Sequence, residues 1–84
     1  MKKRKLLQKA LAGGKNLRFA ELCTLALAFG YRLDRINGSH HIFVHAAADR
    51  PLNLQTVGGK AKPYQVRQFL RDIEEFNLRL HDDL

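Results

Sequence analysis

Two histidines stand side by side after a glycine and the chain's only serine, in the run Asn37-Gly38-Ser39-His40-His41-Ile42-Phe43. Histidine exchanges a proton near neutral pH because its ordinary pKa is about 6.5. Neighbours on an extended strand point to opposite faces, so Ser39 and His40 do not make a nucleophile and its base, and a serine triad is set aside. A metal fits no better. His41 and His45 share a strand face but stand about 13 Å apart at roughly 3.3 Å per residue, whereas each ligand of one zinc approaches it to about 2.1 Å. His40 points the other way, His81 is far along the chain, and Cys23 is the single cysteine. Val57-Gly58-Gly59-Lys60-Ala61-Lys62 lacks the spacing of a phosphate-binding loop, so its glycines read as turn residues, and no dinucleotide fingerprint occurs. No metal and no other cofactor is expected.

What remains is a lone histidine acting on a bound polyanion. The chain carries 15 Lys+Arg against 8 Asp+Glu, a formal charge of +7. The surplus is uneven. Lys2, Lys3, Arg4, Lys5, Lys9, Lys15 and Arg18 come before any acid, and Lys60, Lys62, Arg67 and Arg71 form a second basic group. From Asp72 onward the sign reverses. A positive field attracts polyanions and speeds encounter with them. Nucleic acid is the first candidate, an acidic protein the second, and plain solvated surface the bland account. RNA supplies its own nucleophile, the 2′-OH, so an enzyme need only deprotonate it, hold it in line and neutralise charge on the phosphate. One histidine with nearby Lys or Arg suffices, at a modest gain of about 10²- to 10⁴-fold from acid–base catalysis. On chemistry alone, two ordinary strand histidines account for the run at least as well.

The elements that must position these residues follow from periodicity. Residues 2–12 read as a basic helix with Leu6, Leu7, Ala10 and Leu11 on one stripe, ended by Gly13-Gly14; docking on the domain or partial disorder is favoured over a membrane surface or a partner. Asn16 is expected to cap a second helix to about Phe29, with Phe19, Leu22, Cys23 and Ala26 inward and Gly30 as terminator. Tyr31 to Ile36 alternates imperfectly and reads as a strand. Asn37-Gly38 signals a type I′ hairpin turn into a strand over 39–46, and a third strand spans 52–57. Pro63 opens a last helix with the stripe Val66, Phe69, Leu70, Ile73 and Phe76. The order is α+β: after the extra N-terminal basic helix, helix, three-stranded antiparallel sheet, helix, with both helices on one sheet face and the other face open. At 84 residues this is one small domain whose site should be shallow. Cys23 reads as a buried, inert thiol. Gln8 and Lys9 interrupt the apolar stretch that a signal peptide needs, and Leu22 to Phe29 is too short to span a membrane, so a soluble, cytoplasmic protein is expected.

The run from Gly30 through "YRLDRINGSHHIFVH", followed by "LNLQ" and "GKAKPYQVRQFLRDI", resembles the HicA family of toxin–antitoxin toxins over about Arg18 to Leu78. The resemblance implies a fold like a double-stranded RNA-binding domain over 18–78, preceded by a basic extension, 1–17, and followed by a tail, 79–84. It implies a metal-independent endoribonuclease that cuts mRNA, with a HicB-like antitoxin as partner. It places the catalytic histidine directly after Gly-Ser, at His40, with His41 the second choice, and makes Gly38 and Ser39 the turn that presents it. Arg35, Lys60, Lys62 and Arg67 are candidates for phosphate contacts from charge and position. A module of the same fold that binds RNA without cutting it is the alternative, and a pure protein-interaction domain is the third reading. The third strand lacks the Pro-His-Pro segment common in the family.

Overall fold

A computed structural model describes residues 2–81; Met1 and 82–84, the end of the expected tail, lie outside it. The elements run α1 (Lys3–Leu11), α2 (Phe19–Ala28), β1 (Arg32–Asn37), β2 (His40–Val44), β3 (Leu52–Gln55) and α3 (Pro63–Glu75). The strands form one antiparallel sheet in the order β1-β2-β3, so β2, which carries both histidines, is central. The helices cover one face. Phe43, Leu52 and Leu54 of the sheet join Phe19, Leu22, Leu25, Val66 and Phe69 of the helices in one core. Alternation explains the rest: Asn53, between the two buried leucines, is exposed on the opposite face. Among the described residues no helix is long and apolar enough to cross a membrane.

The basic extension is part of this core. Leu6 and Ala10 of α1 and the following Leu17 are buried in it. Lys9 reaches Glu21 of α2 at 3.0 Å, and Lys3 Nζ donates to the carbonyl of His81 at 2.9 Å.

The second helix begins later than its sequence suggests. Arg18, not Asn16, is the N-cap. Leu17 and Arg18 are drawn into extended pairing with the loop before α3: Phe19 N–H donates to Gly59 O, and Ala61 N–H donates to Leu17 O. The Glu21 carboxylate accepts the Arg18 N–H at 2.9 Å. That bond, and then Lys9, hold its carboxyl below the usual glutamate value. At the other end Gly30, with φ of 94°, turns the chain out of α2. Its N–H bonds Leu27 O and that of Tyr31 bonds Ala26 O, the paired bonds of a Schellman ending.

The hairpin turn also shifts by one residue. Asn37 pairs with His40, so the two-residue loop is Gly38-Ser39 rather than Asn37-Gly38. Gly38 alone has positive φ, 63°, which fits a type II′ turn with glycine first; type I′ needs positive φ at both central residues. The imperfect alternation of the first strand has a cause as well. A β-bulge between Leu33 and Arg35 inserts Asp34. Leu33 and Ile36, opposite Phe43 and His41, therefore share the helix-side face although three residues apart.

Arg50, in the loop after β2, ties that loop to α3. Its Nη2 lies 2.6 Å from Asp72 Oδ1 and 2.9 Å from Glu75 Oε1, and its guanidinium lies 4.8 Å from the Phe76 ring centroid. Asp72 also accepts from Gln68 Nε2 at 2.9 Å. Cys23 is half-buried, and burial pushes its thiol up to about 11, the inert thiol expected of an apolar helix face.

Candidate active site

The two histidines lie on opposite faces of the central strand. His41 faces the helices. Its ring stands edge-on to Phe19, centroids 4.9 Å apart, and its Nδ1 is buried without a hydrogen-bond partner among the described residues. His40 faces away from the helices. Its Nδ1 lies 3.1 Å from Oδ1 of Asn53 on β3, and among the described residues its Nε2 has no hydrogen-bond partner. An amide oxygen can only accept, so a hydrogen bond at this contact needs the tautomer with its proton on Nδ1, which leaves the lone pair on Nε2.

The turn that presents His40 is pinned to β3. Thr56 N–H donates to Ser39 O at 3.1 Å, and Gln55 Nε2 donates to Ser39 Oγ at 3.3 Å. Gln65, buried in the first turn of α3, accepts the Gln55 N–H at 3.1 Å and so satisfies the outer edge of β3. Ser39 Oγ is thus a hydrogen-bond acceptor in the turn, consistent with setting aside a serine nucleophile. A third histidine, His45, is structural. Its Nε2 lies 3.1 Å from Phe29 O, and its Nδ1 accepts the Ala47 N–H at 2.9 Å.

The basic residues divide between the two faces. Register puts Arg35 opposite Ile42, on the face of His40, though its Nη1 lies 2.8 Å from Asp34 Oδ2. Arg32, opposite Val44, shares that face. Lys60 sits in the loop bridged to Arg18, beside Phe19 and therefore on the His41 side. Lys62 is the N-cap of α3, with Nζ 5.8 Å from the Tyr64 ring centroid, and Arg67 is exposed on α3. These three belong to the helix layer, and the fold does not bring them onto the open sheet face. The Ser39–Thr56 bond nonetheless joins the turn to the strand end that leads into the Lys60 loop. Sequence reasoning missed Asn53, Gln55 and Gln65 as supports of the turn, and Arg18 as the partner of Lys60. The outward parity of Asn53 and Gln55, set by inward Leu52 and Leu54, was the available signal.

Among the described residues, no three His, Cys, Asp or Glu side chains cluster closely enough to hold a metal ion. The family model described as "HicA toxin of bacterial toxin-antitoxin" matches residues 19–74. The chain belongs to the HicA toxin family. The match runs from the first residue of α2 almost to the end of α3, so it contains the sheet and both histidines, while α1 lies outside it. No curated protein and no solved structure matches the chain. Membership makes this a toxin domain of a toxin–antitoxin system, a setting that implies an antitoxin partner of the HicB kind. HicA toxins are in general RNases.

Proposed function

We propose that this HicA chain is a metal-independent endoribonuclease that cuts mRNA with His40 as its base and is inhibited by its cognate antitoxin. The observation that carries the reading is the His40–Asn53 contact, which leaves the Nε2 lone pair free on an open face. In the proposed step Nε2 takes the proton of a ribose 2′-OH. The 2′-oxygen attacks the adjacent phosphorus, the bond from phosphorus to the 5′-oxygen breaks, that oxygen takes up a proton from water as it leaves, and the imidazolium returns its proton to solvent. A 2′,3′-cyclic phosphate and a 5′-hydroxyl end result. Arg32 and Arg35 share His40's face and would offset charge on the phosphate. Lys60, Lys62 and Arg67, with Arg18, would hold strand passing over the helix side.

The second reading keeps the chemistry and moves it to His41, because the Arg18–Lys60 cations lie on that side. The test is RNA cleavage by the full chain in the presence of a chelator. Wild type is expected to cut, His41→Leu to cut, and His40→Ala to bind RNA without cutting. Cleavage lost in His41→Leu and kept in His40→Ala moves the base by one residue. Salt-sensitive RNA binding with no product from wild type leaves the non-catalytic RNA-binding module.

A further inference from the structure

We propose that Asn53 is a positioning residue that selects the tautomer of His40. This rests on the reading of His40 as the base. A neutral imidazole side chain free in water favours the form with the proton on Nε2, which would place a hydrogen where the base needs a lone pair. The partner of the other nitrogen decides which form prevails. Among the described residues the only hydrogen bond of the His40 ring is at Nδ1, with Oδ1 of Asn53 as its acceptor at 3.1 Å.

The surroundings leave that role to Asn53. Gln55, directly opposite His40 in the register, has its amide engaged with Ser39 Oγ. Asn37, the partner on β1, makes no bond to the ring, and Ile42, next along the face, offers no acceptor. Asn53 lies opposite Ile42, so it reaches His40 diagonally across two central-to-edge strand positions. The third member of a serine triad acts on its histidine in the same way, by fixing tautomer and orientation without touching substrate. Because Asn53 is exposed, replacing it leaves the core untouched, and a β-branched replacement suits a strand.

The experiment records ¹H–¹⁵N correlations of the histidine rings in the full-length chain at pH 8, with His40 assigned by its loss in His40→Gln, alongside kcat and KM on RNA. Wild type is expected to hold the proton on Nδ1. Asn53→Val should move it to Nε2 and lower kcat about 10- to 100-fold with KM unchanged. Asn53→Asp, which keeps the acceptor oxygen, should restore both. An Nε2–H ring in wild type, as a reversed Asn53 amide would give, overturns the proposal. So does a tautomer unchanged in Asn53→Val, or a loss confined to KM. A wild type that cuts no RNA sinks the ribonuclease reading, and the tautomer comparison still decides the role of Asn53.

Discussion

The ring of His41 stands edge-on to that of Phe19, with centroids 4.9 Å apart and planes 72° apart. The contact places one histidine of the adjacent pair in the helix-side packing, with Nδ1 buried and unpaired. A buried polar atom without a partner costs about 1–3 kcal/mol. His41→Leu is therefore expected to raise stability by about 1 kcal/mol, a shift of roughly 4–8 °C in Tm for a domain of this size. RNA cleavage should be unchanged. Thermal melts and a cleavage assay on the same preparation check both, and lower Tm with lost cleavage would contradict this assignment of the two rings.

The Arg50–Asp72 pair predicts a larger effect of the opposite sign. Asp72 is 2 % exposed and relies on Arg50 and Gln68 for its hydrogen bonds. Arg50→Met removes the charged donor and leaves the buried Asp72 carboxylate short of a partner, so it should lower the midpoint clearly. Asp72→Asn in the same background should recover part of it, since no charge is then left buried. Glu75→Gln, at an exposed carboxylate, should leave the midpoint almost unchanged. Urea unfolding of the four proteins gives the comparison.

Leu6 tests whether α1 is part of the fold although the family match begins after it. The side chain is buried against α2 and α3 residues. Leu6→Ala should destabilise by about 3 kcal/mol. An unchanged urea midpoint would show α1 to be an appendage.

Glu21 gives a pH dependence. Its carboxyl is held below the ordinary value by the Arg18 N–H and by Lys9. A depressed folded pKa means stability that is complete above the unfolded glutamate value, about 4.3, and lost as pH falls through the folded value. Glu21→Gln should be less stable than wild type at pH 7 by about 1 kcal/mol, and the gap should close towards pH 3. Denaturation midpoints at the two pH values measure it.

Cys23 gives a second. With its thiol pushed up to about 11, roughly one molecule in a thousand is thiolate at pH 8. Iodoacetamide should label the native chain at least about tenfold more slowly than the unfolded chain. Equal rates would place the thiol in water.

Much of this was legible from the residues. The element order, the helical stripe of α1 and the Gly30 ending all follow from local periodicity and single-residue preferences, which act within one helical turn or one strand; that α1 docks on the core was not among them. The turn falls one residue later than the local hairpin signal Asn37-Gly38, because pairing across the sheet makes Asn37 the last residue of β1. The second helix starts later than Asn16 suggests for a related reason: Leu17 and Arg18 pair with a loop more than 40 residues away, and no local rule contains that loop.

The sequence by itself determined that His40 and His41 face opposite ways, because a strand alternates, and that the chain is a basic α+β domain. It left open which ring meets the helices, since Ile42 and Phe43 make both faces apolar. Tertiary structure decided that. Phe43 goes into the core with Leu52 and Leu54, carrying His41 with it by parity, and the bulge at Asp34 keeps Leu33 and Ile36 on the same side. His40 is left on the open face, where the register of β3 sets Asn53 beside it. The physical reason is that register is a relation between strands. It is fixed when two side chains from distant parts of the chain are buried against each other, and no single stretch holds both.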